Sequence, residues 1–133
     1  KSMNSSDLQK LSEATGISGE EIAALDAKIE EAVITEVDIF SLRAERDAIL
    51  IRFLADDDFA LYEPELFEQF KLASVHAVFI ERAKHAIERL GGEVTIAYME
   101  SGHYETWLGV NDFDDNRELR IAWARQQIRG LSN

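Results

Sequence analysis

The side chains best suited to metal or proton chemistry are a histidine and two glutamates within residues 64–90. Glu81 precedes His85 by four residues, and Glu88 follows it by three. On a helix these spacings place the three side chains along one face. Carboxylate oxygens and an imidazole nitrogen together can ligate a divalent metal. Glu81, His85 and Glu88 are therefore the candidate metal ligands, and an exposed row of ion pairs on the helix surface is the alternative.

A second set of acidic residues lies near the N-terminus. The chain carries 26 acidic and 14 basic side chains, a net charge of −12, of which −9 falls in residues 1–63. This balance disfavours nucleic acids and anionic membranes as partners and favours a basic protein surface. We predict that four glutamates of a helix in this half contact such a partner: Glu20, Glu21, Glu30 and Glu31.

Residues 11–25, L-S-E-A-T-G-I-S-G-E-E-I-A-A-L, have the spacing of two short helices joined by a turn. Gly16 falls at the turn and Ser18 can cap the second helix. The stretch resembles the helix-turn-helix of many bacterial repressors, which implies a transcription regulator that binds DNA. In that unit Glu20 and Glu21 stand where base-reading residues would be, whereas DNA affinity comes largely from lysine and arginine at the phosphates.

Two other function classes therefore stand beside a protein-binding role. A DNA-binding regulator would take its cations from the last helix, which carries Arg117, Arg120, Arg125 and Arg129. A helical metal-dependent phosphohydrolase or metal-binding protein is the third class. Helical hydrolases of the MazG type cluster acids on facing helices, and this chain has comparable acids, although at other spacings: Glu30, Glu31, Glu36 and Asp38.

Length and composition limit the remaining choices. The 133 residues fit one domain, 1–133, and 46% hydrophobic with 30% charged residues is a globular composition. There is no cysteine, which excludes disulfides and thiol catalysis. No apolar run approaches the roughly 18–20 residues needed to span a bilayer, and the N-terminal residues do not resemble a signal peptide, so a cytoplasmic protein is expected. Lys1 and Ser2 are expected to be a cloning remnant before a native start at Met3.

Periodicity predicts a mainly α, α+β fold of about five helices around a long central helix over residues 64–90. Gly91 and Gly92 should end that helix. Earlier helices are predicted over residues 6–16, 18–33 and 35–55, and a last one over residues 116–130. Alternation after the glycines predicts a β-hairpin near residues 93–110. The alternative is an all-helical bundle in which residues 104–110 form a helical turn or irregular structure.

From these observations we expect a small acidic, non-enzymatic interaction module of the inhibitor, immunity or adaptor type that binds a basic protein surface and no cofactor. A single hairpin leaves an open edge, so a homodimer is also expected. Its contacts would come from Trp107 and the hairpin, or from the last helix through Leu119, Trp123 and Ile128.

Overall fold

A computed structural model of the chain describes residues 9–10, 13–14 and 16–132, with side chains up to residue 128. This part is mainly helical with a small sheet, which confirms the predicted α+β class. Its elements, in chain order, are α1 (Gly19–Ser41), β1 (Asp47–Phe53), α2 (Asp56–Tyr62), α3 (Pro64–Phe70), α4 (Ala73–Arg89), β2 (Glu93–Met99), α5 (Ser101–Asn111) and α6 (Arg117–Ser132). No helix within these residues has the length and apolar character needed to cross a membrane.

The two described strands pair in parallel, in a register that places Asp47 beside Glu93 and Phe53 beside Met99. The predicted hairpin is therefore wrong, although the strand predicted over residues 93–99 is present. Its partner, β1, lies 46 residues earlier, in a stretch predicted as helix. Parallel strands require a crossover connection, and α2, α3 and α4 supply it.

The segment predicted as the returning strand is helix α5. Tyr104, Trp107 and Leu108 are spaced by three and four residues, the spacing of one helix face. Tyr104 is fully buried, and its ring packs edge-to-face on Trp123. Burial of this face explains why the helical period prevails over the apparent alternation. Because Trp123 is itself buried, at 2% exposure, it is unavailable for the dimer contact predicted for it.

Helix α1 runs to Ser41 without the predicted break after Val33. Thr35, predicted as a helix start, instead donates its hydroxyl to the carbonyl of Glu31 within the helix. Ser18 caps the N-terminus as predicted and accepts from the N–H of Glu21 at 3.2 Å. Gly16 has the positive φ of a turn residue, +75°. Leu11, Ser12 and Thr15 of the helix-turn-helix-like stretch, and most of the helix predicted over residues 6–16, lie outside the described residues.

The predicted central helix is divided in two at Lys71, which has a positive φ of 74°. The second half, α4, begins at Ala73, whose N–H donates to the Asp56 side chain at 2.7 Å. Asp56 lies in the first turn of α2. As expected, α4 is central, because it packs against α1 on one side and against both strands on another. It ends before Gly91, which has φ of 88°.

Gly92 packs against a residue of α1, Phe40, and a residue of α4, Ile87. A Cβ at this position would lie 2.5 Å from Cγ2 of Ile87 and 2.7 Å from Cζ of Phe40, both of which are buried. We expect Gly92→Ala to lower the free energy of unfolding by about 1–3 kcal/mol, because these side chains must shift. Urea denaturation measures it. The control is Gly102→Ala in α5, where a Cβ meets open space, and equal stability of the two variants would contradict the prediction.

Candidate binding cleft

The acids predicted to bind a partner occupy different positions on α1. Glu20, Glu31 and Asp38 are exposed, and their separations of eleven and seven residues keep them within about 20° of one line along the helix. We call these three residues the acidic ridge. Glu21, exposed in the first turn, lies beside it. None of the four is in an ion pair with a described residue.

Glu30 lies on another side of α1 and joins the helix to α4. Its carboxylate lies 2.6 Å from Nη1 of Arg82, and the same guanidinium nitrogen lies 2.8 Å from the buried Asp26. One arginine of α4 therefore holds two carboxylates of α1. The structure brings Glu20, Glu21 and Glu31 to solvent and separates Glu30 from them.

Between α1 and β1 lies a cleft of about 600 Å³, a volume typical of ligand sites. Its base is formed by apolar residues of α4, including Phe79, Ile80 and Ile87. One wall is the side of α1 that carries Glu31 and Glu36, so the acidic ridge reaches the rim of the cleft. The opposite wall is β1, which contributes four consecutive residues from Ala48 to Ile51.

Four consecutive lining residues indicate that the cleft follows the edge of β1. The N–H of Glu93 in β2 donates to the carbonyl of Arg46 at 2.8 Å, so the backbone carbonyl of Arg46 faces β2. Because backbone groups alternate along a strand, those of Ile49 and Ile51 point away from β2. The carbonyl of Asp47, on the same side, accepts from Arg43 just after α1. Among the described residues, Ile49 and Ile51 make no hydrogen bond outside the strand pair.

The charged side chains of the cleft differ in how they are paired. Arg117 contacts the carboxylate of Glu63 at 2.5 Å, and Arg43 lies 3.8 Å from Glu45. Glu36 is half-buried on the α1 wall and in no ion pair with a described residue. Burial raises the pKa of its carboxyl group, and the positive charges of Arg117 and Arg43 oppose that shift. A group such as Glu36 gains from a hydrogen-bond donor or cation supplied by a ligand.

His76 of α4 lines the inner end of the cleft and is 3% exposed. Its ring lies 4.7 Å from the centroid of Phe59 and 5.6 Å from that of Phe70, and its Nδ1 has no hydrogen-bond partner among the described residues. Burial, with a smaller effect of Arg117, lowers the pKa of this imidazole to about 4. His76 is therefore neutral near pH 7 and adds no charge to the cleft.

The arginines proposed as a source of DNA contacts are bound within the protein. Arg120 is buried and lies 2.7 Å from Asp115 and 3.0 Å from Glu63. Glu63 also binds Arg117, and Arg125 lies 3.3 Å from Asp47. The Arg129 side chain lies outside the described residues. Because these three arginines contact carboxylates of the same chain, the described side chains of α6 do not form a free row of cations.

The candidate metal ligands Glu81, His85 and Glu88 are all exposed on α4. The Glu88 carboxylate accepts a hydrogen bond from the Lys84 ammonium group at 3.1 Å. An ion pair of this kind on the helix surface is the alternative to a metal site. Within the described part of the chain, no group of three or more histidine or carboxylate side chains is placed to hold a metal ion. The metal role of these three residues stays a prediction.

No protein-family model matches this sequence, and no curated protein matches it. The cleft residues must therefore be understood from their own geometry. Sequence reasoning missed β1, Glu36 and His76 as parts of one site. The available signal was the stretch Ala48–Phe53, which is apolar apart from Arg52, contains the two β-branched residues Ile49 and Ile51, and fits a buried strand as well as part of a helix.

Proposed function

We propose that this protein is a small acidic interaction module that binds a basic surface of a partner protein through the acidic ridge of α1. The main support is a difference in ion pairing between the acids of α1 and the arginines of α6. Glu20, Glu31 and Asp38 are exposed on one line, in no ion pair with a described residue, whereas Arg117 and Arg120 of α6 are bound to the protein's own carboxylates. The free charge of this surface is therefore negative.

The ridge also has apolar surface beside it, which an interface requires for affinity. Ile34 is 60% exposed and Leu42, directly after α1, is 89% exposed. Interfaces combine an apolar centre with a charged rim, and complementary charge mainly raises the association rate. An inhibitor, immunity or adaptor protein would use such a helix to cover part of a basic partner.

Site-specific cross-linking in the host cells tests this proposal. A photoreactive amino acid replaces Ile34 beside the ridge, and the control carries it at Leu61 of α2, which is 64% exposed. We expect position 34 to give one discrete adduct with another protein and position 61 to give none, because only α1 should contact the partner. Absence of an adduct at position 34, or the same adduct at both positions, contradicts the proposal.

Charge variants then separate electrostatic recognition from simple proximity. The ridge variant combines Glu20→Gln, Glu31→Gln and Asp38→Asn, and the control neutralises three exposed acids elsewhere, Glu65, Glu68 and Glu118. The two variants have the same net charge. We expect the ridge variant to lower the adduct yield at short exposure by about tenfold, the low end of electrostatic steering effects, and the control to leave it near the original value. Equal losses would show that only total charge matters.

A further inference from the structure

We propose that the cleft between α1 and β1 receives an extended basic segment of the partner protein, which adds as a third strand along the free edge of β1. This inference rests on the proposed function and names the form in which the partner binds. Recognition by strand addition uses main-chain hydrogen bonds for affinity and side-chain contacts for specificity.

The backbone of β1 supplies the first requirement. The N–H and C=O groups of Ile49 and Ile51 point away from β2, and no described residue outside the strand pair bonds to them. Both residues line the cleft. An open strand edge is a template for pairing with another chain. The stretch from Ala48 to Ile51 that lines the cleft has a length of about 13 Å, enough to pair with about four residues of a partner.

The apolar lining of the cleft supplies the second requirement. Ile39 of α1, Leu66 of α3 and Ile121 of α6 line the cleft without being buried, and they can contact the apolar side chains of an added strand. Successive side chains of a strand point to opposite faces, so apolar residues are needed at every second position only. The space of about 600 Å³ admits a single segment of chain beside β1.

The charge of the cleft selects a basic segment. Of its charged side chains, Arg117 is held by Glu63, and Arg43 is held by Glu45 and by the carbonyl of Asp47. The charges left without an ion pair to a described residue are two carboxylates, Glu31 and Glu36, and one ammonium group, Lys28. A lysine or arginine of the partner would pair with the half-buried carboxylate of Glu36, which is in no ion pair with a described residue.

A second copy of this chain is a less suitable occupant. Two copies would bring together two chains of net charge −12, and like charges across an interface oppose association. Each copy would also have to fit its own strand edge between α1 and β1 of the other. A segment with alternating basic and apolar residues meets neither obstacle.

The test uses a seven-residue peptide of alternating lysine and valine, blocked at both ends, and its counterpart with glutamate in place of lysine. Proline at an edge position whose N–H faces away from the sheet removes no internal hydrogen bond. Ile51→Pro therefore blocks strand addition, and Ile51→Val is the matched control. We expect the lysine peptide to bind the original protein and Ile51→Val equally, and Ile51→Pro at least about tenfold more weakly. The glutamate peptide should not bind.

Hydrogen exchange gives a second readout that does not depend on the folding of Ile51→Pro. The amides of Ile49 and Ile51 should exchange more slowly with the lysine peptide present. Lack of binding, or binding without this protection, overturns the inference. If cross-linking at position 34 still gives its adduct, the proposed function survives that failure; without the adduct both fail. A doubling of mass in light scattering that Ile51→Pro abolishes would make the occupant a second copy and would also overturn the inference.

Discussion

Arg120→Met is expected to lower the free energy of unfolding by about 3 kcal/mol, the low end of the range for breaking a buried ion pair. The Arg120 side chain is 5% exposed and links α6 to Glu63, before α3, and to Asp115, after α5. Methionine can fill similar space, but it leaves Asp115 without a cation and Glu63 with Arg117 alone. Tyr104 donates its hydroxyl to the same Asp115 carboxylate, so the loss reaches the buried aromatic cluster.

The matched control for this change is Arg125→Met on the same helix. Arg125 also pairs with a carboxylate, that of Asp47, but the two side chains are 40% and 54% exposed. Exposed pairs contribute about 0–1 kcal/mol. Urea denaturation at pH 7 measures both variants. The prediction is wrong if Arg120→Met lowers the free energy of unfolding by no more than Arg125→Met does.

The second large effect is a loss of stability when the pH falls from about 6.5 to about 4. Burial lowers the pKa of His76 to about 4 in the folded protein, whereas an unfolded histidine titrates near 6.5. Between these values the unfolded chain binds a proton that the folded chain does not, so the free energy of unfolding decreases as the pH falls. The difference amounts to about 3 kcal/mol once the pH reaches 4.

His76→Leu isolates this contribution, because leucine is apolar and cannot titrate among the surrounding rings. All other titrating groups remain, including Glu36, whose raised pKa acts in the opposite direction by favouring the folded state at low pH. We expect the free energy of unfolding of the variant to change less than that of the original protein over this pH range, by about 3 kcal/mol. Parallel pH profiles for the two proteins would contradict a neutral, buried His76. The slopes are compared, because the substitution also alters packing.

Local signals in the sequence determined several element boundaries. Ser18 was expected to start a helix, and its hydroxyl does cap α1. The glycine pair after residue 90 was expected to end the central helix, and Gly91 takes the positive φ that only a residue without a side chain adopts easily. The last helix was predicted over residues 116–130, and α6 spans Arg117–Ser132. These features depend on neighbours within a few residues, which the sequence displays directly.

The strand pairing depended on contacts that the sequence does not display. The stretch Ala48–Phe53 is apolar apart from Arg52, and its pattern fits a buried strand or part of a longer buried helix, because periodicity does not separate the two in a short apolar run. Its pairing with residues 94–99 in the fold, with α4 packed beside it, decides in favour of a strand. Because β2 pairs with β1, it does not need a hairpin partner after it in the chain. Residues 101–111 instead form the helix that buries Tyr104.

For the candidate site, too, the sequence determined some features and the tertiary structure decided the others. Composition and charge determined that the N-terminal half is acidic, and helical spacing determined that its acids could form rows on a surface. Only the tertiary structure decided which acids face solvent, which are held by Arg82, and which line the cleft with β1. Spacing along one helix fixes directions relative to that helix alone, whereas burial and ion pairing depend on the elements packed against it, which come from distant parts of the chain.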